Sequence, residues 1–237
     1  MTSVRPWRTA LTGVLASIVV AAGVTLPALP AAAAEDLLVQ YDFSQLTGTT
    51  VPDSSGGGRD AVLRGTGASV VGDELRLPGG ASGSSAAYVE MPRGLVDGRS
   101  TLTIQSWLRN DTGAGNYAAA FFGTTENLPS QYWLLNPRDP SSRFKSVITA
   151  SSNPSAPWTT EAGISGSSTP AGPTTDAQWG LYTTVLEPGS LTGYYNGRLI
   201  AKVSTNRSVA DLGTNLVGYI GRSSYPDPFY RGGVRDF

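Results

Sequence analysis

The sequence predicts an all-β protein that folds as a two-sheet antiparallel sandwich. Short apolar segments recur about every ten residues, and clusters of Gly, Pro, Asp, Asn and Ser separate them. No segment has the periodicity of an amphipathic helix, so parallel strands would lack the crossovers they need. About thirteen such strands are enough for two sheets packed around one core.

The first 34 residues are predicted to be an export signal. Arg5 and Arg8 precede an apolar run at residues 10–22, and small residues lead to a cleavage site after Ala34. A membrane anchor is the alternative, but the run is short for a span of about 20 residues and two prolines follow it. We therefore expect a secreted, extracellular protein whose mature domain covers residues 35–237.

The predicted strands follow one another through the mature chain. The clearest spans residues 101–109, where Leu102 and Ile104 share one side of a sheet and Trp107 lies on the other. Asn196-Gly197 predicts a two-residue hairpin turn. The predicted strands cover residues 37–43, 60–64, 74–77, 86–90, 101–109, 117–122, 131–135, 143–149, 179–186, 191–195, 198–203, 216–221 and 233–237, with a short additional strand at 161–164.

Histidine and cysteine are both absent from the sequence. Ser-His-Asp triads, Cys-His pairs and metal sites built from thiolates or imidazoles are therefore excluded. The net charge is −1, and the charged residues, 15% of the chain, show no clustering of either sign. Nucleic acid and anionic membranes do not suit such a surface, because both bind clustered Lys and Arg. The composition leaves three classes of function open, namely catalysis by carboxylates, binding of cations through oxygen ligands, and binding of neutral, hydroxyl-rich ligands.

Several runs of residues keep one order along the mature chain, at 38–43 with 48–56, 88–92, 102–108, 194–197, and 219–223 with 232–237. Together they resemble the laminin-G-like jelly rolls of the concanavalin A-like lectin/glucanase superfamily, which implies a jelly-roll sandwich of two antiparallel sheets. Two features depart from the family pattern. Gly180, rather than His, follows Trp179, which we expect in the core. The chain also stops at Phe237 inside the last predicted strand, so the resemblance implies a domain, residues 35–237, that is truncated at its C-terminal strand.

Domains of this kind are attached to secreted bacterial glycoside hydrolases. The resemblance therefore implies a non-catalytic carbohydrate-binding accessory module, with an arabinan-type polysaccharide as the substrate of the parent glycoside hydrolase. Hydrolases on this fold carry Glu-x-Asp-x-x-Glu or Glu-x-Asp-x-Glu on one strand, because alternation places those carboxylates on one sheet face. None of the glutamates has an acidic residue two positions later, so we expect no catalytic residues in this chain.

Glycan binding on a sandwich needs exposed aromatic rings for the apolar faces of sugars. Tyr132 and Trp133 are adjacent on a predicted strand, so one of them must point away from the core. Trp158 lies in a loop rich in Pro, Ser and Thr, Tyr225 lies in the rigid run Tyr-Pro-Asp-Pro-Phe-Tyr, and Trp107 occupies the polar side of its strand. These five residues are the predicted carbohydrate-binding candidates, with packing against the sandwich as the alternative role of each.

Asp53 and Asp236 are the predicted metal ligands. Calcium recurs in the superfamily and prefers oxygen ligands, although the predicted function requires no cofactor. Asp53 begins an Asp-Ser-Ser-Gly turn, where its alternative role is to accept backbone N–H bonds in an Asx turn.

The expected partner is a polysaccharide or oligosaccharide, without nucleic acid binding or membrane insertion, and the protein is expected to be a monomer tethered to further domains. Two alternatives are a protein-binding or adhesion module and a structural spacer within a larger extracellular protein. A shallow aromatic groove around Trp133, Trp158 and Tyr225 would favour sugar, whereas a flat apolar patch would favour protein. The topology also predicts that residues 37–43 and 233–237 lie side by side.

Overall fold

The computed structural model describes residues 37–111, 118–125, 130–139, 143–165 and 177–237. Within them, fifteen strands form two antiparallel sheets, and three short 3-10 helices span Phe43–Gln45, Pro157–Thr160 and Val209–Leu212. The prediction of an all-β, two-sheet sandwich is confirmed. The predicted export signal, residues 1–34, lies outside the described residues. In the described part of the chain, no helix has both the length and the apolar character that a membrane span requires.

The larger sheet has eight strands and the smaller has seven. The order in the eight-stranded sheet is β1 (Thr50–Val51), β2 (Ala61–Arg64), β5 (Tyr88–Met91), β14 (Val217–Ile220), β7 (Ala120–Gly123), β8 (Gln131–Asn136), β9 (Lys145–Ala150) and β10 (Ala162–Ile164). The order in the seven-stranded sheet is β13 (Arg198–Thr205), β12 (Gly189–Tyr195), β11 (Gly180–Glu187), β6 (Leu102–Asn110), β15 (Phe229–Arg235), β4 (Glu74–Gly80) and β3 (Ser69–Val71). Because β14 lies between β5 and β7, and β15 between β6 and β4, the last strands of the chain complete the middle of both sheets.

The core lies between the two sheets and follows the period-two pattern of the strands. In β6, Ile104 and Leu108 are buried in this core, whereas Trp107 lies on the outer face and is 38% exposed. Trp133 is fully buried, and its indole nitrogen donates a hydrogen bond to Ser146 Oγ at 3.1 Å. Ser146 Oγ also lies 2.8 Å from Thr184 Oγ1, which joins β9 to β11 across the core. The buried polar atoms of this cluster are therefore hydrogen-bonded, as a dry interior requires.

A second apolar layer covers the outer face of the eight-stranded sheet. Phe121, Tyr132, Val147 and Val217 are almost completely buried there, although they alternate with residues of the core. A sheet face that looked directly into solvent would expose such side chains. Loops therefore fold over this face, and Tyr225 contributes to the cover.

The start of the domain differs from the prediction of a strand at residues 37–43. Only Tyr41 forms a bridge, to Asp53, and Phe43–Gln45 is a 3-10 helix. Asp42 caps this helix, because its Oδ1 accepts hydrogen bonds from the backbone N–H of Ser44 at 2.9 Å and from Ser44 Oγ at 2.7 Å. The predicted strand is therefore wrong in type, although its apolar residues Tyr41 and Phe43 are buried as expected.

The two ends of the domain meet, as predicted. Tyr41 donates a backbone hydrogen bond to Phe237 O at 2.8 Å and accepts one from Phe237 N at 3.3 Å. Their rings are stacked with centroids 6.4 Å apart. The predicted hairpin is also present, since Asn196 (φ 49°) and Gly197 (φ 74°) join β12 to β13 with the positive angles of a type I′ turn.

Candidate functional site

Adjacent residues of β8 point to opposite sides of the eight-stranded sheet, as their sequence predicted. Trp133 points into the core and is 0% exposed, so a ligand at the surface cannot contact it. The prediction of Trp133 as a binding residue is therefore corrected, because its indole fills the space between the sheets. Tyr132 points outward, but it is 1% exposed beneath the loops. It supports the surface rather than forming it.

Seven aromatic rings of the described residues form a continuous series across this outer face, which we call the aromatic row. Neighbouring ring centroids are 5.4 to 6.5 Å apart, the usual spacing of interacting aromatic pairs. Four rings of the row are buried, Tyr88 and Tyr225 are half-buried, and Trp158 is exposed. In order, the row consists of Trp158, Tyr225, Tyr132, Phe121, Tyr219, Tyr88 and Phe229.

Trp158 and Tyr225 form the first end of the row, and we call them the Trp158 end. Trp158 lies in the 3-10 helix Pro157–Thr160 and is 49% exposed. Its ring centroid lies 6.5 Å from that of Tyr225, which in turn meets Tyr132 edge-on at 5.4 Å. A large, half-exposed indole braced by other rings is suited to stack on the apolar face of a sugar. These two sequence-predicted residues are thus brought together.

Polar groups lie directly beside the Trp158 end. The Tyr132 hydroxyl donates a 2.6 Å hydrogen bond to Glu161 Oε1, and Lys145 Nζ lies 2.7 Å from Glu161 Oε2. Burial, and then the negative charge of Glu161, raise the pKa of Tyr132 well above its ordinary value, so its hydroxyl stays protonated. Burial also raises the pKa of Tyr225 to about 12, although its contact with Tyr132 acts in the opposite direction. The half-buried Tyr225 hydroxyl and the paired carboxylate of Glu161 can hydrogen-bond to sugar hydroxyls, while buried Tyr132 holds that carboxylate in place.

Tyr88, Tyr219, Phe229 and the guanidinium of Arg222 form the other end of the row, which we call the Arg222 end. The Cζ atom of Arg222 lies 4.8 Å from the Tyr88 ring centroid, 5.1 Å from that of Tyr219 and 5.0 Å from that of Phe229. Burial raises the pKa of Tyr219, and the positive charge of Arg222 acts against that rise. No sequence pattern predicted this cluster, because its residues come from β5, β14, β15 and a loop. Only the strand order brings them together.

The outer face of the seven-stranded sheet carries the remaining aromatic candidate. Trp107 is partly exposed there and pairs in register with Arg235 of β15. Trp179, expected in the core, instead lies half-buried on the outside, with the Arg235 guanidinium 4.2 Å and the Arg109 guanidinium 5.2 Å from its ring centroid. Arg109 is in turn ion-paired with buried Glu74 at 2.8 Å. Trp107 is therefore separated from Trp158 and Tyr225 by the whole thickness of the sandwich.

The two predicted metal ligands do not form a calcium site in the described residues. Asp53 Oδ1 accepts hydrogen bonds from Gln40 N at 3.2 Å and from Ser55 N at 3.0 Å, and its Oδ2 accepts one from Arg59 N at 3.1 Å. Burial acts to raise the pKa of Asp53, but these hydrogen bonds together hold it below its ordinary value. Asp236 is exposed and directly follows β15, with φ 44°. Since Asp53 is already satisfied by N–H donors, the donor set does not fit calcium, and Asp53 has its alternative role in a turn.

A separate cleft of about 440 Å³ contains none of the predicted site residues. It is lined by Leu38, Arg59, Pro92, Arg93, Gly94, Leu95, Asp97, Gly98 and Arg99.

Known proteins resemble this chain in fold. The model of a family described as the concanavalin A-like lectin/glucanases superfamily matches residues 82–237. Domain 4 of AbnA, a GH43 extracellular arabinanase from Geobacillus stearothermophilus, in complex with arabinotriose, has a TM-score of 0.61 and 16% identity, covering 84% of this chain and 89% of that chain. No curated protein matches in sequence.

Receptor-binding domains of toxins are also similar. The binding domain of botulinum neurotoxin DC in complex with rat synaptotagmin II has a TM-score of 0.59 and 16% identity, covering 86% of this chain and 48% of that chain. The same toxin's binding domain in complex with SialylT has a TM-score of 0.60 and 15% identity, covering 86% of this chain and 47% of that chain. This chain thus spans about half the length of the toxin domains. At such identities the likeness establishes the fold alone.

Proposed function

The chain belongs to the concanavalin A-like lectin/glucanase superfamily, and we propose that it is a non-catalytic carbohydrate-binding accessory module of a secreted polysaccharide-degrading protein. The observation that carries the proposal is the Trp158 end of the aromatic row. There, a half-exposed indole and the Tyr225 ring lie beside the hydrogen-bonding groups of Tyr132, Glu161 and Lys145. Apolar stacking surface next to polar groups is the combination that sugar rings require.

The structural neighbours support a binding role. Domain 4 of the arabinanase AbnA was solved with arabinotriose, and the toxin domains were solved with synaptotagmin II and with SialylT. Arabinan-type polysaccharide is accordingly the first substrate class to test for the parent protein. Export through residues 1–34 would place the module where such polymers occur.

Two carboxylates on the outer face of the eight-stranded sheet are paired with cations, which favours binding over catalysis at these two positions. Glu161 is paired with Lys145 and accepts from Tyr132, while Glu90 is paired with Arg64 at 2.7 Å. A glycosidase needs two carboxyl groups that face each other across the scissile bond, one of them with a raised pKa. Carboxylates already neutralised by cations are suited to hold hydroxyl groups instead.

A protein-binding role is the second candidate. Leu199, 61% exposed, and Trp107, 38% exposed, lie on the outer face of the seven-stranded sheet. Exposed apolar side chains on a sheet face are typical of protein-contacting surfaces when they form a continuous patch. The two functions use opposite faces of the sandwich, so variants at Trp158 and at Trp107 separate them.

The proposal is tested by screening the purified chain on a glycan array and by pull-down on insoluble polysaccharides, including arabinan, with and without added calcium. We expect binding to at least one polysaccharide class, and retention that does not depend on calcium. If no glycan retains the protein under either condition, the proposed function is wrong.

A further inference from the structure

Arg222 has no carboxylate partner among the described residues, unlike two other cations on the outer face of the eight-stranded sheet. Arg64 is paired with Glu90 at 2.7 Å and Lys145 with Glu161 at 2.7 Å. Arg222 donates from Nε to Ser223 O at 2.9 Å, and among the described residues no carboxylate lies within ion-pair distance of it. This hydrogen bond holds the guanidinium in place, and within the described parts of the chain no acceptor is found at its outer N–H groups.

The three rings of the Arg222 end set the chemistry of that guanidinium. A guanidinium is weakly hydrated and stacks readily on aromatic faces, which the ring distances of 4.8 to 5.1 Å show here. The stack fixes the plane of the group and removes part of its water shell before a ligand arrives. A planar fork of N–H donors held in this way matches the two oxygens of a carboxylate, which it binds through paired hydrogen bonds.

The surrounding charges favour an anion at this end. The groups that act on Tyr219 include Arg222 and Arg93 as cations and Glu90 as the acid, and Glu90 is already paired with Arg64. Among the described groups that act on Tyr219, the cations thus outnumber the carboxylates. These positive charges do not attract a neutral sugar. They attract the carboxylate of an acidic sugar, and the attraction is stronger in a partly desolvated site than in water.

We propose that Arg222 binds a carboxylate of the bound saccharide, so that the preferred glycan carries uronic acid residues. The inference rests on the proposed carbohydrate-binding function and gives it a substrate class. The Trp158 end would stack on a neutral part of the chain, and the Arg222 end would select the acidic residue. A purely structural role for Arg222, in anchoring its loop on three rings, is the alternative that the experiment must distinguish.

The experiment compares saccharides that differ only in their carboxyl groups. Binding of oligogalacturonate and of its carboxyl-reduced galactose counterpart is measured by titration calorimetry at one ionic strength. Glucuronate-substituted xylo-oligosaccharides and their carboxyl-reduced, glucose-substituted counterparts form a second matched pair. We expect at least tenfold tighter binding of the acidic member of one pair. Arg222→Gln should reduce that ratio to about one, and Arg222→Lys should keep part of it. The control Lys202→Gln, at an exposed ion pair on the seven-stranded sheet, should leave it unchanged.

The outcomes separate the inference from the proposed function. Equal affinity for the acidic and neutral members, or an acidic preference that Arg222→Gln leaves intact, would overturn the role of Arg222 while the module still binds glycans. Absence of binding to every saccharide on the array would overturn both. Thermal melting of each variant is measured alongside, and Arg222→Lys provides a folded comparison if Arg222→Gln is unstable. A preference lost in Arg222→Gln at unchanged affinity for neutral glycans supports the inference.

Discussion

Asp53 holds the first turn of the domain through both of its carboxylate oxygens. Three backbone N–H groups and the Ser55 hydroxyl donate to it, and the residue is almost completely buried. The sequence allowed two roles for Asp53, a turn or a cation site, because an Asp-Ser-Ser-Gly segment is compatible with both. The hydrogen-bond donors around Asp53 show that it has the role in a turn. Two of these donors come from Gln40 and Arg59, which are not adjacent to Asp53 in sequence.

Asp53→Asn should therefore lower the free energy of unfolding by about 1–3 kcal/mol, because an amide group cannot accept all of these hydrogen bonds. The native pKa of Asp53 is lowered relative to the unfolded chain, so its contribution is complete above the unfolded value of about 4 and is lost as pH falls through the native pKa. Urea denaturation at pH 7 and at low pH measures both effects. Asp236→Asn, at an exposed position directly after β15, is the matched control and should change little. Equal stability of both variants at pH 7 would contradict this role of Asp53.

Trp133 and Trp158 should give opposite results when changed to alanine. Trp133→Ala removes a fully buried indole and leaves Ser146 without its donor, so we expect a loss of about 3–5 kcal/mol in stability. Trp158→Ala removes a half-exposed ring and should change stability by only about 0.5 kcal/mol. Calorimetric melting measures the difference, and a larger loss for Trp158→Ala would show that the two positions are wrongly assigned.

At the level of the strands, alternation predicted which side chains of one strand lie on the same side of a sheet. It did not predict which strands are neighbours. The faces of β6 and the opposite directions of Tyr132 and Trp133 follow from the two-residue period alone. The Arg222 end was not predictable in the same way, because β5 and β14 are paired across more than a hundred residues. The strands β1 and β3, of two and three residues, were also missed, since such short strands carry no periodic signal.

Gly163 fixes the contact between β10 and β9 at the edge of the eight-stranded sheet. Its φ is 142°, and a Cβ atom would lie 2.4 Å from the carbonyl oxygen of Ser146 on β9. Gly163→Ala should therefore destabilise the protein by more than Gly189→Ala, where φ is 91° but nothing lies within 4 Å of the added atom. Gly189→Ala, the control, should lower the free energy of unfolding by about 1–2 kcal/mol, from backbone strain alone. Equal melting temperatures of the two variants would show that β10 moves away from β9 without cost.

At the scale of the whole molecule, the two outer faces of the sandwich differ in chemistry. The eight-stranded sheet carries the aromatic row, and the seven-stranded sheet carries arginines paired with carboxylates around Trp179. The resemblance to the superfamily predicted the sandwich, and composition predicted a neutral, hydroxyl-rich ligand. Neither could predict that Trp107 and Trp158 lie on opposite faces, because that depends on how the loop containing Trp158 folds back on the sheet.

The contact between Tyr41 and Phe237 joins the first and last described segments of the domain. Phe237 stacks on Tyr41 and exchanges two backbone hydrogen bonds with it. Phe237→Ala keeps the backbone bonds but removes the ring, so we expect a loss of about 1–3 kcal/mol, less than for a fully buried phenylalanine. Hydrogen exchange at the Tyr41 amide should become faster by more than at amides in β6. Unchanged protection of Tyr41 would show that the ring contact does not hold the ends together.

Carbohydrate binding at the Trp158 end of the aromatic row can be measured by titration calorimetry with the glycan that binds best on the array. Trp158→Ala and Trp107→Ala remove one partly exposed indole each, from opposite faces of the sandwich. We predict that Trp158→Ala weakens binding at least tenfold, about 1.4 kcal/mol, whereas Trp107→Ala leaves the affinity unchanged. Full affinity in Trp158→Ala together with a loss in Trp107→Ala would contradict the account and place the binding surface on the seven-stranded sheet.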